Sequence, residues 1–215
     1  EDSLIDSLEI DYKKIKSLVS RETLKELETF RKLIIMRNKD INLISTTTIG
    51  ASKDRHIVDS AQIIDFVDKN SSICTDLGSG AGLPGIVLAI IMKHKNSDMQ
   101  FNLYEKSYHK SKFLEEVSRK LNLNTKVFNQ NIFEQENLHS EIIVARAFKP
   151  MIVILDLVNK SFKKFNNIIL LLGKNGKSSI KECQKKWKFD YVERNSLTNK
   201  ESLMIKISNL KKNEK

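Results

Sequence analysis

The sequence contains little cysteine, proline or glycine, and it has no long apolar run. There are 2 cysteines, 2 prolines and 7 glycines among its 215 residues. Cys74 lies in an apolar run and Cys183 in a lysine-rich segment, an arrangement that fits neither a disulfide framework nor a zinc cluster. We therefore expect two free thiols, and because no set of histidines, cysteines and carboxylates has metal-ligand spacing, we expect no metal.

No apolar stretch approaches the roughly 18 to 20 residues that a membrane-spanning helix requires. The first residues, Glu1 and Asp2, lack the basic and then apolar layout of a signal peptide. We therefore expect a cytoplasmic protein that does not associate with membranes. The length is enough for one substantial core with a small appendage, and we expect a monomer.

The charge is biased towards positive residues, with 37 Lys and Arg against 27 Asp and Glu, a formal net charge of +10. Such a bias favours a polyanionic partner, because neutralising phosphates releases counterions from a nucleic acid. A second explanation is codon bias in an AT-rich genome, which would enrich Lys, Asn and Ile together. Composition alone leaves both explanations open.

Hydrophobic periodicity divides the chain at about residue 50. The first 45 residues have apolar residues at helical spacing, whereas from about residue 55 short apolar runs alternate with amphipathic stretches, which is typical of βα units. We predict a helical extension over 1–50 and an α/β domain over 51–215. The predicted strands are Ile73–Leu77, Phe101–Glu105, Thr125–Phe128, Ile142–Ala145, Ile168–Leu172, Tyr191–Arg194 and Leu203–Ile207. The predicted helices of the domain are 56–68, 84–93, 108–121, 150–163 and 177–187.

These elements predict a seven-stranded, mostly parallel sheet. The last two strands are joined only by 195–202, which predicts an antiparallel hairpin at one edge.

The most informative motif is the glycine-rich stretch 76–85, DLGSGAGLPG, which follows the first predicted strand and precedes a helix. Gly78, Gly80 and Gly82 allow a sharp turn and let a ligand approach the backbone. A dinucleotide fingerprint needs glycine at position 83, which is leucine, so the pattern GxGxG fits adenosylmethionine better than NAD. The alternative is a glycine-rich turn without a ligand.

Polar residues follow the predicted strands at the edge where open α/β sheets bind ligands. Glu105 ends the second strand and is placed to accept hydrogen bonds from ribose hydroxyls, although it could be a solvated carboxylate. Arg146 and Lys174 follow two later strands, and we expect them to lie close together and to favour an anionic substrate. Arg55 and His56 precede the first strand and form either a pocket rim or a local cap with Asp59.

Absent motifs narrow the reaction. Neither cysteine is placed to act as the nucleophile that carbon-5 methylation of a pyrimidine requires. Residues 145–150, ARAFKP, differ from the Asn/Asp-Pro-Pro-aromatic turn typical of methylation at exocyclic adenine amines. Guanine N7 already has an in-plane lone pair and needs only positioning, which the available residues permit.

Taken together, these residues resemble a known family, the bacterial 16S ribosomal RNA guanine-N7 methyltransferases of the glucose-inhibited division protein B type. The resemblance covers most of the chain. The matching stretches are Asn42-Leu43, 55–60, 76–87, 105–107, Lys110, 112–114, 145–147 and Gly173-Lys174.

The resemblance implies a Rossmann-like class I methyltransferase fold, S-adenosyl-L-methionine as cofactor and 16S rRNA of the small ribosomal subunit as substrate. It further implies that Gly78 and Leu83 line the cofactor loop, that Glu105 meets the ribose and that Arg146 lies at the mouth of the active site. The family commonly has Arg, a small apolar residue and Glu where this chain has Asn131, Ile132 and Phe133, so we expect adenine contacts there to come from the backbone.

From the residues and the resemblance together we expect two groups of site residues. The catalytic and cofactor-binding candidates are Arg146, Lys174, Gly78, Gly80, Gly82, Leu83, Glu105, Asn131, Ile132 and Phe133. The substrate-binding candidates are Arg55, His56, Lys149 and Lys174. Two alternatives remain open, a small-molecule methyltransferase on the same fold and a non-catalytic ribosome-assembly factor.

Overall fold

The structure is a computed structural model that describes residues 14–44, 51–146 and 148–214, with the backbone alone for residues 51–54. Its centre is a seven-stranded sheet in the order β3-β2-β1-β5-β7-β9-β8. The strands of this sheet are β1 (Ile73–Asp76), β2 (Gln100–Tyr104), β3 (Thr125–Phe128), β5 (Ile142–Arg146), β7 (Asn167–Leu172), β8 (Trp187–Asn195) and β9 (Leu203–Lys212). Two short strands, β4 (Leu138–His139) and β6 (Phe162–Lys164), pair separately.

The central strands are apolar because helices cover both faces of the sheet. The helices are α1 (Arg21–Arg37), α2 (Ala51–Gln62), α3 (Gly85–Lys93), α4 (Tyr108–Lys120), α5 (Met151–Ser161) and α6 (Gly176–Gln184), with 3₁₀ turns at Ile63–Phe66 and Ile132–Glu134. Strands β1, β2, β3, β5 and β7 are parallel, so their carboxyl ends meet at one edge.

Strand β9 inserts antiparallel between β7 and β8, as expected for the final hairpin. The predicted seven-stranded, mostly parallel sheet is therefore confirmed. Strand β9 extends beyond its predicted end because residues 208–212 are mostly polar. Strand β8 begins earlier than predicted, at Trp187, which the predicted helix 177–187 had included; Trp187 and Phe189 alternate with polar residues and are buried. Strands β4 and β6 were not predicted, since two or three residues are too few to show a period.

Helix α1 packs directly onto the α/β core. Ser20 begins this helix by accepting a hydrogen bond from Thr23 N–H at 3.2 Å, as an N-cap residue does. Leu27 and Phe30 are fully buried in the same hydrophobic cluster as Ile86 of α3. Exposed and half-exposed ion pairs add to this contact, such as Arg37 with Glu116 of α4 at 2.7 Å. The part of the predicted helical extension before residue 14 and the residues 45–50 lie outside the described residues.

Helix α2 begins earlier than predicted and ends in a 3₁₀ turn at Ile63–Phe66. Its first turn, 51–54, contains only one apolar residue, which is why periodicity placed the start near His56. The consequence for the site is that His56, Asp59 and Ser60 all lie on one regular helix.

Candidate active site

The glycine-rich loop connects β1 to α3 and is held at both ends by one buried carboxylate. Asp76 accepts hydrogen bonds from Gly85 N–H at 2.9 Å and from Gly78 N–H at 3.3 Å. Burial raises the pKa of Asp76 to about 7, with the nearby charge of Glu105 acting in the same direction and these two amide donors opposing it. The loop shape therefore depends on a carboxyl group that titrates near neutral pH.

Two glycines of the loop have backbone angles that side chains disfavour. Gly80 has φ +53° and Gly82 has φ +100°. A β-carbon on Gly82 would lie 2.5 Å from a carbon of Ile86 and 3.2 Å from Phe30, whereas one on Gly80 would meet nothing within 4 Å. Gly80 thus leaves open space, whereas Gly82 lets the loop pack against α1 and α3.

Glu105 lies directly after β2 and binds this loop. Its carboxylate accepts hydrogen bonds from Gly80 N–H at 2.9 Å and from Ser107 N–H at 3.0 Å. Each bond uses a different oxygen, so both oxygens retain capacity to accept from a ligand hydroxyl. The carboxylate is fixed at the edge of the cavity described next.

A cavity of about 610 Å³ runs along the glycine loop, and we call it the loop cavity. Its floor is apolar and its rim carries lysines. The lining residues are Leu77, Gly78, Gly80, Tyr104, Glu105, Lys106, Lys110, Gln130, Asn131, Ile132, Phe133, Phe148, Lys149 and Val153. The structure thus brings together Gly78, Gly80, Glu105 and the segment 131–133 around one space. Asn131 itself caps the 3₁₀ turn by accepting from Phe133 N–H.

Arg146, the last residue of β5, is held by helix α2. Its Nη1 donates to His56 Nδ1 at 2.6 Å, and its Nη2 donates to His56 O at 3.2 Å and to Ser60 Oγ at 3.3 Å. Since a guanidinium can only donate, Nδ1 must accept and the proton of the imidazole lies on Nε2. Burial lowers the pKa of His56 to about 4, and the positive charges of Arg146 and Arg55 contribute. His56 is therefore neutral at physiological pH.

A second cavity of about 240 Å³, the arginine cavity, lies on the α2 side of the loop. It is lined by Leu43, Ile44, His56, Gly78, Ser79, Gly80, Ala81, Leu83, Arg146 and Phe148. Arg146 Nε is buried and has no hydrogen-bond partner in the part of the chain that the structure describes. A buried donor without a partner needs a polar ligand, a water or a small rearrangement to be satisfied, and Arg146 is the cationic residue of this cavity's lining.

A third cavity of about 450 Å³, the lysine cavity, lies beyond Phe148. Its lining comes from residues 148–151, 172–176 and Ser179, and it includes Lys149 and Lys174. Arg146 and Lys174 follow neighbouring strands, but they line different cavities that meet at Phe148. Arg55 is exposed on α2 and lines none of these three cavities. Its positive charge helps to lower the pKa of His56.

Helix α2 is itself anchored by a buried carboxylate. Asp59 is 8% exposed and accepts hydrogen bonds from Ser196 Oγ at 2.6 Å and from Gln62 Nε2 at 2.9 Å. Thr198 in the same connection also donates to it. These bonds join α2 to the turn between β8 and β9, so the hairpin at the sheet edge helps to fix the helix that holds Arg146.

Sequence reasoning did not assign Phe148 or Ser60 to the site. Phe148 lines all three cavities, and Ser60 contacts Arg146. The available signal was position: Phe148 lies two residues after a parallel strand, at the edge where ligands bind. Ser60 could have been found from its helical spacing of four residues from His56.

In the described ranges no helix is long and apolar enough to span a bilayer. Among the same residues no group of three or more His, Cys, Asp or Glu side chains is arranged to hold a metal ion. Both cysteines are buried and unpaired, and burial raises the pKa of the Cys183 thiol to about 11.

The loop cavity fits adenosylmethionine. Glycines let a ligand approach the loop backbone, the Glu105 carboxylate is fixed at the cavity edge where it could accept from ribose hydroxyls, and Ile132 and Phe133 offer apolar surface that could hold an adenine ring. With the sheet order and the antiparallel β9, these features define a class I adenosylmethionine-dependent methyltransferase.

Solved structures with the same fold agree with this class. The structure of TYW2 from M. jannaschii in complex with AdoMet has a TM-score of 0.53 at 13% identity, covering 74% of this chain and 76% of that one. The 16S rRNA methylase RmtB also gives a TM-score of 0.53, at 9% identity, covering 96% of this chain and 90% of that one. At these identities the similarity concerns the fold alone.

Sequence comparison identifies the family. The family model GidB, rRNA small subunit methyltransferase G, matches residues 23–206. A protein of Pelagibacter ubique (strain HTCC1062) named ribosomal RNA small subunit methyltransferase G is 48% identical over 196 residues, covering 90% of this chain and 92% of the relative. The chain belongs to the rRNA small subunit methyltransferase G family, and the family, enzyme class and cofactor expected from the sequence are confirmed.

Proposed function

We propose that the protein transfers a methyl group from S-adenosylmethionine to N7 of a single guanine in 16S rRNA, within the small ribosomal subunit. The observation that carries this proposal is the position of Lys106, Lys110 and Lys149 on the rim of the loop cavity. Cationic side chains around a methyl-donor site suit an acceptor embedded in a phosphate backbone. A small neutral acceptor would not need them.

We assign cofactor binding to the loop and the strand ends. Gly78, Gly80 and Leu83 border the ligand, Gly82 sets the loop shape, and Glu105 accepts from the ribose. Asn131, Ile132 and Phe133 contact the adenine. We assign Arg146 to both the cofactor and the reaction centre, since it lines the arginine cavity beside the glycine loop.

We assign RNA binding to the surrounding cations. Lys149 and Lys174 line the lysine cavity and are placed to contact phosphates. The exposed Arg55 on α2 is a further candidate to contact phosphate. The neutral His56, which lines the arginine cavity, is assigned to the substrate as a hydrogen-bonding group. Lys174 is also the candidate to stabilise negative charge near the acceptor. Residues 51–215 form the catalytic unit in this proposal, and residues 1–50 are an accessory extension.

The chemistry needs positioning more than acid or base catalysis. Adenosylmethionine supplies a methyl group on a positively charged sulfur, and the N7 lone pair forms the new bond while the sulfur keeps the old bonding pair. No proton leaves N7, so no general base is required, and the neutral His56 is consistent with this. The task of Arg146, held by His56 and Ser60, is to fix the geometry of the reacting groups. We also propose that the protein acts in the cytoplasm as a monomer and without a metal.

The test uses methyl-labelled adenosylmethionine with small ribosomal subunits that lack the modification, and in parallel naked 16S rRNA. Borohydride and aniline cleavage then maps any N7-methylguanine. Labelling at one guanine, absent in a Glu105→Ala control, supports the proposal. Cofactor binding without incorporation into either RNA would refute it and favour an assembly role. An affinity for RNA that does not change with salt concentration would favour a small-molecule acceptor, since contacts to RNA phosphates depend strongly on salt.

A further inference from the structure

Phe148 is unusual among the aromatic residues of the protein. It is 37% exposed and is the one exposed phenylalanine among the residues that the structure describes. Two exposed tyrosines, Tyr108 and Tyr191, lie on α4 and on the edge strand β8 and line none of the three cavities. A phenylalanine has no polar atom to gain from water, so its exposure leaves hydrophobic area uncovered.

The ring of Phe148 lies where the three cavities meet. It lines the loop cavity, the arginine cavity and the lysine cavity. A β-carbon added to Gly78 would be 3.4 Å from the ring, so the ring covers the start of the glycine loop. Phe133 contacts it edge-on, with ring centroids 6.3 Å apart and an angle of 64° between the planes.

The backbone fixes this position. Phe148 N–H donates to the carbonyl of Arg146, the last residue of β5. Pro150 follows and begins α5, which restricts the chain on the other side. The ring is therefore held next to the carboxyl end of β5, where it shares the arginine cavity with Arg146.

We propose that Phe148 is the surface on which the acceptor base stacks, a purine base turned out of its RNA stack. This inference rests on the proposed function. Enzymes that modify bases turn the target out of the helix and hold it against aromatic or apolar side chains. The ring borders both the cofactor side of the site, through Gly78, and the lysine cavity, where Lys149 and Lys174 are placed to hold the flanking phosphates. Stacking there orients the base edge towards the loop cavity.

The test compares Phe148→Leu with Phe148→Tyr and uses Phe133→Leu as the matched control. Leucine keeps apolar bulk against Gly78 but removes the flat ring, and tyrosine restores it. For each variant, the thermal midpoint, the Kd for adenosylmethionine by calorimetry, and kcat and KM on unmodified small subunits at saturating cofactor are measured. For Phe148→Leu we expect kcat/KM to fall about 10-fold or more, as a lost base stack would cause. We expect its cofactor Kd to stay within about twofold.

We expect Phe148→Tyr to recover most of kcat/KM. Phe133→Leu removes a ring that lines the loop cavity but neither of the other two cavities, and it leaves the Phe148 ring in place. This variant should instead have a higher cofactor Kd and recover wild-type activity at saturating cofactor. A cofactor Kd that rises in Phe148→Leu in proportion to the loss of kcat/KM would overturn the proposal, because the ring would then be a wall of the cofactor site. Unchanged kcat/KM in Phe148→Leu would overturn it as well.

The proposed function and the stacking proposal fail separately. If the wild type labels one guanine at N7 and Phe148→Leu equals it, stacking is wrong and the function stands. If the wild type labels an adenine and Phe148→Leu selectively loses that activity, the guanine assignment is wrong and stacking stands. If the wild type labels no RNA base at all, both are wrong.

Discussion

The two glycines with positive φ in the glycine-rich loop should differ in how much an alanine destabilises the protein. Gly82 is surrounded by packed side chains, whereas Gly80 borders open space. In Gly82→Ala the new β-carbon would lie 2.5 Å and 2.8 Å from carbons of Ile86 and 3.2 Å from Phe30. Ile86 and Phe30 are both 0% exposed, so neither can move away without disturbing the contact between α1 and α3. Gly80→Ala introduces a similar change of backbone preference with nothing within 4 Å of the added carbon.

The expected magnitudes follow from these two situations. An alanine at positive φ costs about 1–2 kcal/mol in backbone strain, and this is the whole cost expected for Gly80→Ala. Overpacking a well-filled site costs about 1–3 kcal/mol more, so Gly82→Ala should lose about 2–5 kcal/mol of unfolding free energy. For a chain of this size, each kcal/mol corresponds to about 2–4 °C in Tm.

Urea unfolding followed by circular dichroism, without cofactor, measures both variants against the wild type. The denaturant slope should be unchanged, so that the midpoint reports stability. Gly82→Ala should have the clearly lower midpoint and a Tm lower by at least about 4 °C. Equal destabilisation by the two substitutions, or a greater effect of Gly80→Ala, would refute the reasoning from packing.

The remaining predictions concern the charged groups of the site. The pKa of Asp76 is about 7 in the folded protein, against an ordinary value of 3.8. Between these two pH values the folded protein therefore binds more protons than the unfolded chain. The free energy of unfolding falls as pH rises through this range. Asp76→Asn should remove that contribution, so its urea midpoint should fall less than the wild-type midpoint between pH 5 and pH 8; an identical pH dependence would contradict a raised pKa. Arg146→Ala should lower methyl incorporation at saturating cofactor by at least about 10-fold. Arg146→Lys should not restore it, because an ammonium group cannot supply the forked donors that Arg146 directs at α2. Wild-type turnover in either variant would show that Arg146 does not have this role. For RNA binding, Lys149→Ala should reduce the slope of the logarithm of the association constant against the logarithm of salt concentration by about 1. The control is Lys95→Ala, at an exposed position near the end of α3, which should reduce this slope much less. Equal slopes in the two variants would argue against Lys149 as a phosphate contact.

Local pattern predicted the parts of this protein that depend on neighbours in sequence. The alternation of apolar runs and amphipathic stretches was enough to give the seven strands and most helices of the domain. The glycine-rich stretch 76–85 indicated a ligand loop because it stands between a strand and a helix, and Glu105 followed from its place after β2. The hydrogen bond between Gly80 and Glu105 is an example, since it joins the residues that follow β1 and β2, two parallel strands whose carboxyl ends lie side by side.

Only the tertiary structure decided which side chains meet across the site. No periodicity links Arg146 with His56, 90 residues earlier, because their pairing depends on how α2 packs beside β5. Strand order alone led us to expect Arg146 and Lys174 close together. In the structure they line two separate cavities, and Phe148 lies where these cavities meet. Sequence patterns predict secondary structure because backbone preference and solvent exposure depend on neighbours in sequence. The contacts of a side chain across the site depend on long-range packing, which leaves no local signal in the sequence.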